Sequence, residues 1–239
     1  MVGYWVVSES AAIAERIGRL GYDYVCLDMQ HGLLDYGSTL AGLMALDAAG
    51  CAGVVRVPGL DASVIGKALD AGARGVIVPL VDTAEQAAAA VAACRYPPQG
   101  RRSFGPTRSS LRIGPDLRVA DAAVACIAMI ETAEGLSNAA AICATPGLDA
   151  VYVGPNDLAI SLGLAPASRH GDERFQRALD DVLAAASASG IAVGIHTDSG
   201  DEAAAALERG FTYASISCDL DHITTYADEQ HRRAIGAHA

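Results

Sequence analysis

Eight short segments of apolar, mostly β-branched residues recur along the chain, separated by stretches with a helical pattern. They cover residues 4–8, 24–28, 53–58, 75–80, 124–131, 150–155, 191–196 and 213–218. Most of them are nearly continuous hydrophobic runs rather than alternations of apolar and polar residues. Such runs are typical of parallel strands, because helices cover both faces of a parallel sheet.

The segments between the strands begin with a polar capping residue and end at or near a glycine. Clear examples are 10–21, 61–72, 82–94, 172–190 and 201–210, and Asp82 and Glu85 have the spacing of a capping box. A strand followed by a helix, eight times over, predicts an α/β protein: a single (β/α)8 TIM barrel over residues 1–239. The alternative is an open doubly wound sheet, but no GxGxxG follows the first strand.

One connection, at about residues 95–118, is longer than the others and is rich in arginine, proline and glycine. Six arginines in a chain of net charge −11 are a marked local concentration. Two interpretations stay open at this point. The loop is either a surface that contacts solvent or another subunit, or a lid that brings cations to an anionic site.

The composition argues against several classes of protein. A net charge of −11 is unsuited to a nucleic-acid partner, whose phosphates require a basic surface. No apolar run has the length needed to span a bilayer, and no signal peptide is recognisable before the first strand. The six cysteines include no CxxC pair. We therefore expect a reduced, cytoplasmic protein without a membrane partner.

Polar residues collect at the carboxyl ends of the predicted strands, where the active sites of barrels lie. Six of the strands contribute, with Asp28, Gln30, His31, Arg56, Glu131, Gly154, Pro155, Asn156, Asp157, His196 and Asp219. Each has an ordinary structural explanation on its own, such as a helix N-cap for Asp157 or a surface ion pair for Arg56. Together they indicate a site at one mouth of the barrel.

Two of these residues, Glu131 and Asp157, offer carboxylate oxygens on neighbouring strands, with no cysteine or histidine at the same ends. Mg²⁺ and Mn²⁺ prefer such ligands, and a pair of carboxylates leaves positions open for a substrate. The segment GPNDLA begins a helix whose first backbone N–H groups suit a substrate carboxylate. Arg56 is placed to clamp the same anion. The sequence thus predicts a metal site that accepts a small anion.

The chain resembles the HpcH/HpaI family, the metal-dependent class II pyruvate aldolases of the phosphoenolpyruvate- and pyruvate-binding barrel superfamily. The resemblance covers nearly the whole chain, and its matching stretches come in family order. They are GYDYVCLDMQHG, VVRVPG, KALDAGARGVIVPLVDTAEQA, RYPPQGRRSFG, MIETAEG and DAVYVGPNDLAISLG.

The resemblance implies a role for each residue of the reacting centre. Glu131 and Asp157 match the two metal-binding carboxylates of the family. Arg56 matches the arginine that faces the keto oxygen of pyruvate. His31 matches the histidine next to a metal-bound water, and Asp70 matches the acid that orients this histidine.

The resemblance also implies a set of surrounding residues. Asp28 matches a further acid of the site, and Trp5 falls where relatives have an aromatic residue near the pocket. The backbone of residues 154–157 matches the part that holds the pyruvate carboxylate. Gln30 stands in a stretch where many relatives have Gly-Glu-His-Ala, so we expect the acceptor side to differ here.

The implied activity is reversible cleavage of 4-hydroxy-2-oxo acids to an aldehyde and pyruvate, or a pyruvate-like donor such as hydroxypyruvate. It would proceed through a metal-stabilised enolate with Mg²⁺, Mn²⁺ or Co²⁺. The resemblance further implies a homohexamer, a trimer of dimers, with the C-terminal helix packing on a neighbour. Lys67 is the only lysine and lies in a predicted helix rather than at a strand end, which argues against a Schiff base.

Three other functions stay open from the sequence. An oxaloacetate decarboxylase would form the same enolate, and a CoA-ester lyase of the same superfamily would use a similar metal pair. The third alternative is a non-catalytic protein that binds keto acids.

Overall fold

Each strand of the sheet hydrogen-bonds in parallel to the next strand along the chain, and the last strand returns to the first, so the sheet closes. The computed structural model describes residues 1–236. The strands are β1 (Val2–Val6), β2 (Tyr24–Asp28), β3 (Ala52–Arg56), β4 (Gly75–Val78), β5 (Ala125–Ile130), β6 (Ala150–Val153), β7 (Ala192–Thr197) and β8 (Tyr213–Cys218). The predicted (β/α)8 barrel is confirmed.

Helices connect the strands and cover the outside of the barrel. They are α1 (Ala11–Gly18), α2 (Tyr36–Ala49), α3 (Ala62–Asp70), α4 (Ala84–Cys94), α5 (Ser109–Ile113), α6 (Leu117–Ala122), α7 (Ala133–Ser137), α8 (Ala139–Cys143), α9 (Pro155–Ser161), α10 (Glu173–Ser189), α11 (Gly200–Arg209) and α12 (Asp219–Ala234), with a 3₁₀ turn at Pro166–Gly171. The main core lies between this layer and the outward-facing residues of the strands.

The capping of α4 differs from the prediction by one residue. Thr83 is the N-cap, since its hydroxyl accepts from the backbone N–H of Gln86, and the Gln86 side chain accepts from the Thr83 N–H. Asp82 cannot cap the helix because its carboxylate accepts from the Thr132 hydroxyl. The pair Asp82 and Glu85 was therefore the wrong capping box.

Aromatic rings fill the inside of the barrel. The centroid of Tyr152 lies 6.0 Å from that of Trp5 and 5.7 Å from that of Tyr213. Space for these rings comes from small residues on the inner face. A Cβ atom on Gly194 would lie 2.1 Å from the ring of Tyr213, which is far inside van der Waals contact. Glycine is therefore required at position 194 by packing, not by its backbone angles.

Alternation along the strands decides which side chains reach the mouth of the barrel. The inward-facing set of β2 ends at Asp28, that of β3 at Arg56, and that of β7 at His196. In β8 the register against β1 shifts between Ile216 and Cys218. Because of this bulge, Cys218 faces the inside of the barrel. In a regular strand, Ser217 would occupy that position.

The arginine-rich loop lies at the amino-terminal end of the barrel, because it connects the end of α4 to the start of β5 and contains α5 and α6. Arg102 donates to Asp70 at 2.8 Å, and Arg95 contacts Asp149 at 2.5 Å. The loop does not border the mouth where the polar strand ends meet. The interpretation as a lid over the site of its own chain is therefore wrong.

Helix α12 has few contacts with the rest of the chain. Its first residue, Asp219, accepts hydrogen bonds from the backbone of Val7 and Ser8, which fixes the start of the helix. Every described residue after Asp219 is exposed. Across residues 1–236, the structure contains no helix that combines the length and apolar character required to cross a membrane.

Candidate active site

A cavity of about 300 Å³ opens at the carboxyl ends of the strands. Most of the predicted site residues lie on its wall: Trp5, Asp28, His31, Arg56, Glu131, Gly154, Pro155, Asn156 and Asp157. Two predicted residues, Gln30 and Asp70, do not. Eight helices and strands thus contribute residues to one small volume, which contains acids, an arginine and a histidine.

Asp28 organises one side of this cavity. It is fully buried, and its carboxylate accepts from Arg56 Nε at 2.9 Å and from Arg56 Nη2 at 2.5 Å. The same carboxylate accepts from the backbone N–H groups of Gln30 and His31. A carboxylate with this many donors holds both the arginine and the start of the following loop in place.

Arg56 is held on a second side by Trp5. Its guanidinium carbon lies 4.4 Å from the centroid of the indole, a distance typical of a cation–π contact. Nε and Nη2 are directed at Asp28, and within residues 1–236 no hydrogen bond is made by the remaining nitrogen, Nη1, which can therefore donate to another acceptor. The arginine is therefore a fixed donor at the cavity, not a flexible one.

Glu131 is a second buried acid of the cavity wall. Its Oε1 accepts from the backbone N–H of Leu80 at 2.8 Å, and Leu80 has a φ of 54°, unusual for a leucine. A Cβ atom on Gly154 would lie 2.5 Å from Glu131 Oε2, so the glycine leaves the space that this carboxylate occupies. Burial, and to a lesser extent the charge of Asp157, raise the pKa of Glu131 to about 7.

The start of α9 also borders the cavity. Its N-cap is Gly154, which has no side chain to accept from the helix, and Pro155 has no N–H to donate. The backbone N–H groups of Asn156 and Asp157 belong to the first turn, where a helix provides no acceptor. The cavity therefore contains two free backbone donors beside the Asp157 carboxylate.

His31 lies at the rim, and its side chain is exposed. The loop that carries it turns tightly: a Cβ atom on Gly32 would lie 2.2 Å from the carbonyl oxygen of Asp28. The glycine that follows His31 is thus required for the loop to return past the end of β2.

Asp70 does not lie near His31 in this chain, and this corrects the expectation that it orients the histidine within one subunit. It is the last residue of α3, which runs back from the mouth to the opposite end of the barrel. There its carboxylate pairs with the buried Arg102. Gln30 is likewise not among the residues that line the cavity, and its backbone N–H donates to Asp28 in the turn after β2.

Sequence reasoning missed several residues of the wall. Val7, Met129, Cys218 and Asp221 also line the cavity, and the Leu80 backbone holds Glu131. Met129 could have been found by counting in steps of two from Glu131. No sequence pattern predicts the roles of Cys218 and Leu80. Cys218 faces the cavity because of the bulge in β8, and the Leu80 N–H reaches Glu131 from a backbone with a positive φ.

Comparisons with known proteins identify the family of the chain. The model of the HpcH/HpaI aldolase/citrate lyase family matches residues 1–225. A hydroxypyruvate/pyruvate aldolase of Rhizorhabdus wittichii is 40% identical over 93% of this chain and 89% of its own length. A 4-hydroxy-2-oxovalerate aldolase of Rhodococcus jostii is 39% identical over 91% and 85%.

A solved structure is similar over almost the full length. A HpcH/HpaI aldolase/citrate lyase family protein from Burkholderia cenocepacia superposes with a TM-score of 0.89 at 33% identity, covering 98% of this chain and 94% of the other. Fold and site together define a barrel lyase that acts on small molecules. The chain belongs to the HpcH/HpaI aldolase/citrate lyase family, and the prediction of an aldolase is confirmed.

Proposed function

We propose that the protein is a divalent-metal-dependent aldolase that reversibly cleaves 4-hydroxy-2-oxo acids to an aldehyde and pyruvate or hydroxypyruvate. The observation that carries the proposal is that Glu131, Asp157 and the fixed Arg56 line the same small cavity. The relatives named as aldolases for hydroxypyruvate, pyruvate and 4-hydroxy-2-oxovalerate support the choice of substrates.

The acids fit a hard divalent cation. Two carboxylates share a confined space, and the raised pKa of Glu131 reflects the cost of a buried negative charge there. A cation would remove this cost, and Gly154 leaves the space that the Glu131 carboxylate needs. Glu131 and Asp157 would hold Mg²⁺, Mn²⁺ or Co²⁺. When bound, the ion would act as a Lewis acid that makes the methyl protons of the keto acid more acidic.

Arg56 supplies the positive charge where negative charge develops. When a proton leaves the methyl group of pyruvate, charge moves to the keto oxygen, and a donor fixed in advance stabilises that change. Asp28 and Trp5 hold the guanidinium from two sides and leave Nη1 directed elsewhere. Asp28 is therefore a positioning residue for Arg56.

The start of α9 suits the other end of the donor. The N–H groups of Asn156 and Asp157 would donate to the substrate carboxylate, and the positive end of the helix dipole favours this anion. In this arrangement the keto oxygen would point towards Arg56, and the methyl group would face the open part of the cavity.

His31 would move the proton. It is exposed at the rim and fixed through its backbone to Asp28, and an imidazole can act as a general acid or base. It can therefore exchange a proton with the aldehyde oxygen through water. Lys67 does not take part, because it lies on the exposed side of α3 beside Tyr36.

An assembly of several copies belongs to this proposal. Helix α12 exposes Ile223 and Tyr226 beside a cavity that is also lined by Ile13, Ile17 and Leu20 of α1 and the loop after it. We propose a homohexamer, a trimer of dimers, in which this surface is covered. Within such an assembly the implied contact between Asp70 and His31 would join two different copies.

Chelation tests the function directly. After treatment with EDTA, the protein should lose both cleavage of a 4-hydroxy-2-oxo acid and exchange of pyruvate methyl protons with D₂O, and Mg²⁺, Mn²⁺ or Co²⁺ should restore both. Glu131→Gln should behave like the chelated protein, whereas Glu134→Gln, an exposed acid three residues further on, should behave like wild type. Full activity in EDTA, or trapping of pyruvate by borohydride, would contradict the proposal.

A further inference from the structure

His196 is a polar residue of the cavity wall that the proposed mechanism leaves without a role. It follows Gly194 on the inner face of β7 and borders the cavity. Its imidazole meets the indole of Trp5 edge-on, with centroids 5.1 Å apart. Trp5 therefore lies in contact with both the imidazole and the guanidinium of Arg56.

The imidazole has unused hydrogen-bonding capacity. Within residues 1–236, its Nδ1 is buried and has no hydrogen-bond partner. A buried polar atom without a partner costs free energy, so such an atom in a cavity wall suggests a ligand or a functional constraint. The ring borders the cavity, so it would lie next to a molecule bound there.

The ring is uncharged near neutral pH. Burial is the main cause that lowers the pKa of His196 to about 4, with nearby Arg56 and Arg169 acting in the same direction against Asp198 and Asp28. A neutral imidazole has one N–H donor and one acceptor nitrogen. That combination matches a hydroxyl group, which both donates and accepts. A substrate carboxylate would instead favour a positively charged partner, and the neutral imidazole is not one.

We propose that His196 determines acceptor specificity by hydrogen-bonding a hydroxyl group on the incoming aldehyde. The acceptors would then be hydroxyaldehydes, in preference to alkyl aldehydes of the same size. This inference rests on the proposed aldolase function, and it adds the chemical class of the second substrate.

Glycolaldehyde and propionaldehyde make a matched pair for the test, because a hydroxyl in one replaces a methyl in the other. With pyruvate as donor, we expect wild type to favour glycolaldehyde in kcat/KM. In His196→Leu, kcat/KM for glycolaldehyde should fall about tenfold, the effect of one hydrogen bond, while that for propionaldehyde is unchanged or rises. His196→Gln, which retains a donor and an acceptor, should keep part of the preference.

Exchange of pyruvate methyl protons without any aldehyde separates this inference from the function on which it rests. Both variants should exchange at the wild-type rate. If wild type neither exchanges protons nor forms an aldol, the proposed function fails. If exchange is normal but His196→Leu loses both aldehydes equally, the specificity role is overturned. It is also overturned if His196→Leu lowers kcat/KM only when hydroxypyruvate replaces pyruvate, because the lost contact would then be to the donor.

Discussion

At the scale of single residues, the end of each strand carries most of the information about the site. Asp28, Arg56 and Glu131 were identified from the sequence because polar residues that terminate buried strands of a barrel must face its mouth. Asp70 was assigned by resemblance alone, and the path of α3 carries it to the other end. Sequence cannot provide the positive φ of Leu80, which depends on the contact with Glu131.

Glu131 gives the clearest prediction at this scale. Its pKa is about 7 in the folded protein against an ordinary 4.5, so the fold favours the protonated carboxyl. The stability from this preference is fully present below pH 4.5 and is lost as the pH rises through 7. In EDTA, urea denaturation should show that the free energy of unfolding falls more between pH 5 and pH 8 in wild type than in Glu131→Gln.

Metal provides the control for this measurement. Saturating Mg²⁺ should reduce the loss of stability at pH 8 in wild type, because a ligand that binds only the folded state stabilises it. Glu131→Gln should respond much less. Equal pH dependence of the two proteins in EDTA would show that Glu131 does not carry a raised pKa.

At the scale of the elements, the strands were placed within a few residues because a buried parallel strand has an apolar pattern of its own. The helix starts at Asp61 and Asp172 were found in the same way, and both residues accept from the first turn. The bulge in β8 was not found, because nothing in YASISC distinguishes a regular strand from a bulged one. Its effect on the site, the inward turn of Cys218, was therefore missed too.

The packing of Gly194 in β7 against Tyr213 in β8 gives a testable prediction at this scale. Gly194→Ala would place a Cβ atom 2.1 Å from the ring of Tyr213, and both strands would have to shift. We expect a loss of about 1–3 kcal/mol in the free energy of unfolding, as for other overpacked cores. Gly200→Ala is the matched control, since nothing lies within 4 Å of the added atom. Similar urea midpoints for the two variants would contradict this account.

At the scale of the whole molecule, α12 is the feature that one chain does not explain. An exposed apolar surface of this kind generally marks an interaction site. Sedimentation velocity at micromolar concentration should show an oligomer for wild type and a smaller species for the double variant Ile223→Asp and Tyr226→Asp. The charge change Glu229→Gln on the same helix should leave the assembly intact. A monomeric wild type would contradict the proposed hexamer.

The position of Trp5 has a practical consequence for all of these experiments. It is the only tryptophan in the chain, and it contacts both Arg56 and His196. Its fluorescence therefore originates in the wall of the candidate active-site cavity, without background from other indoles. Any molecule that displaces solvent there or moves either neighbour should alter that emission, so the native chain carries its own optical sensor of occupancy.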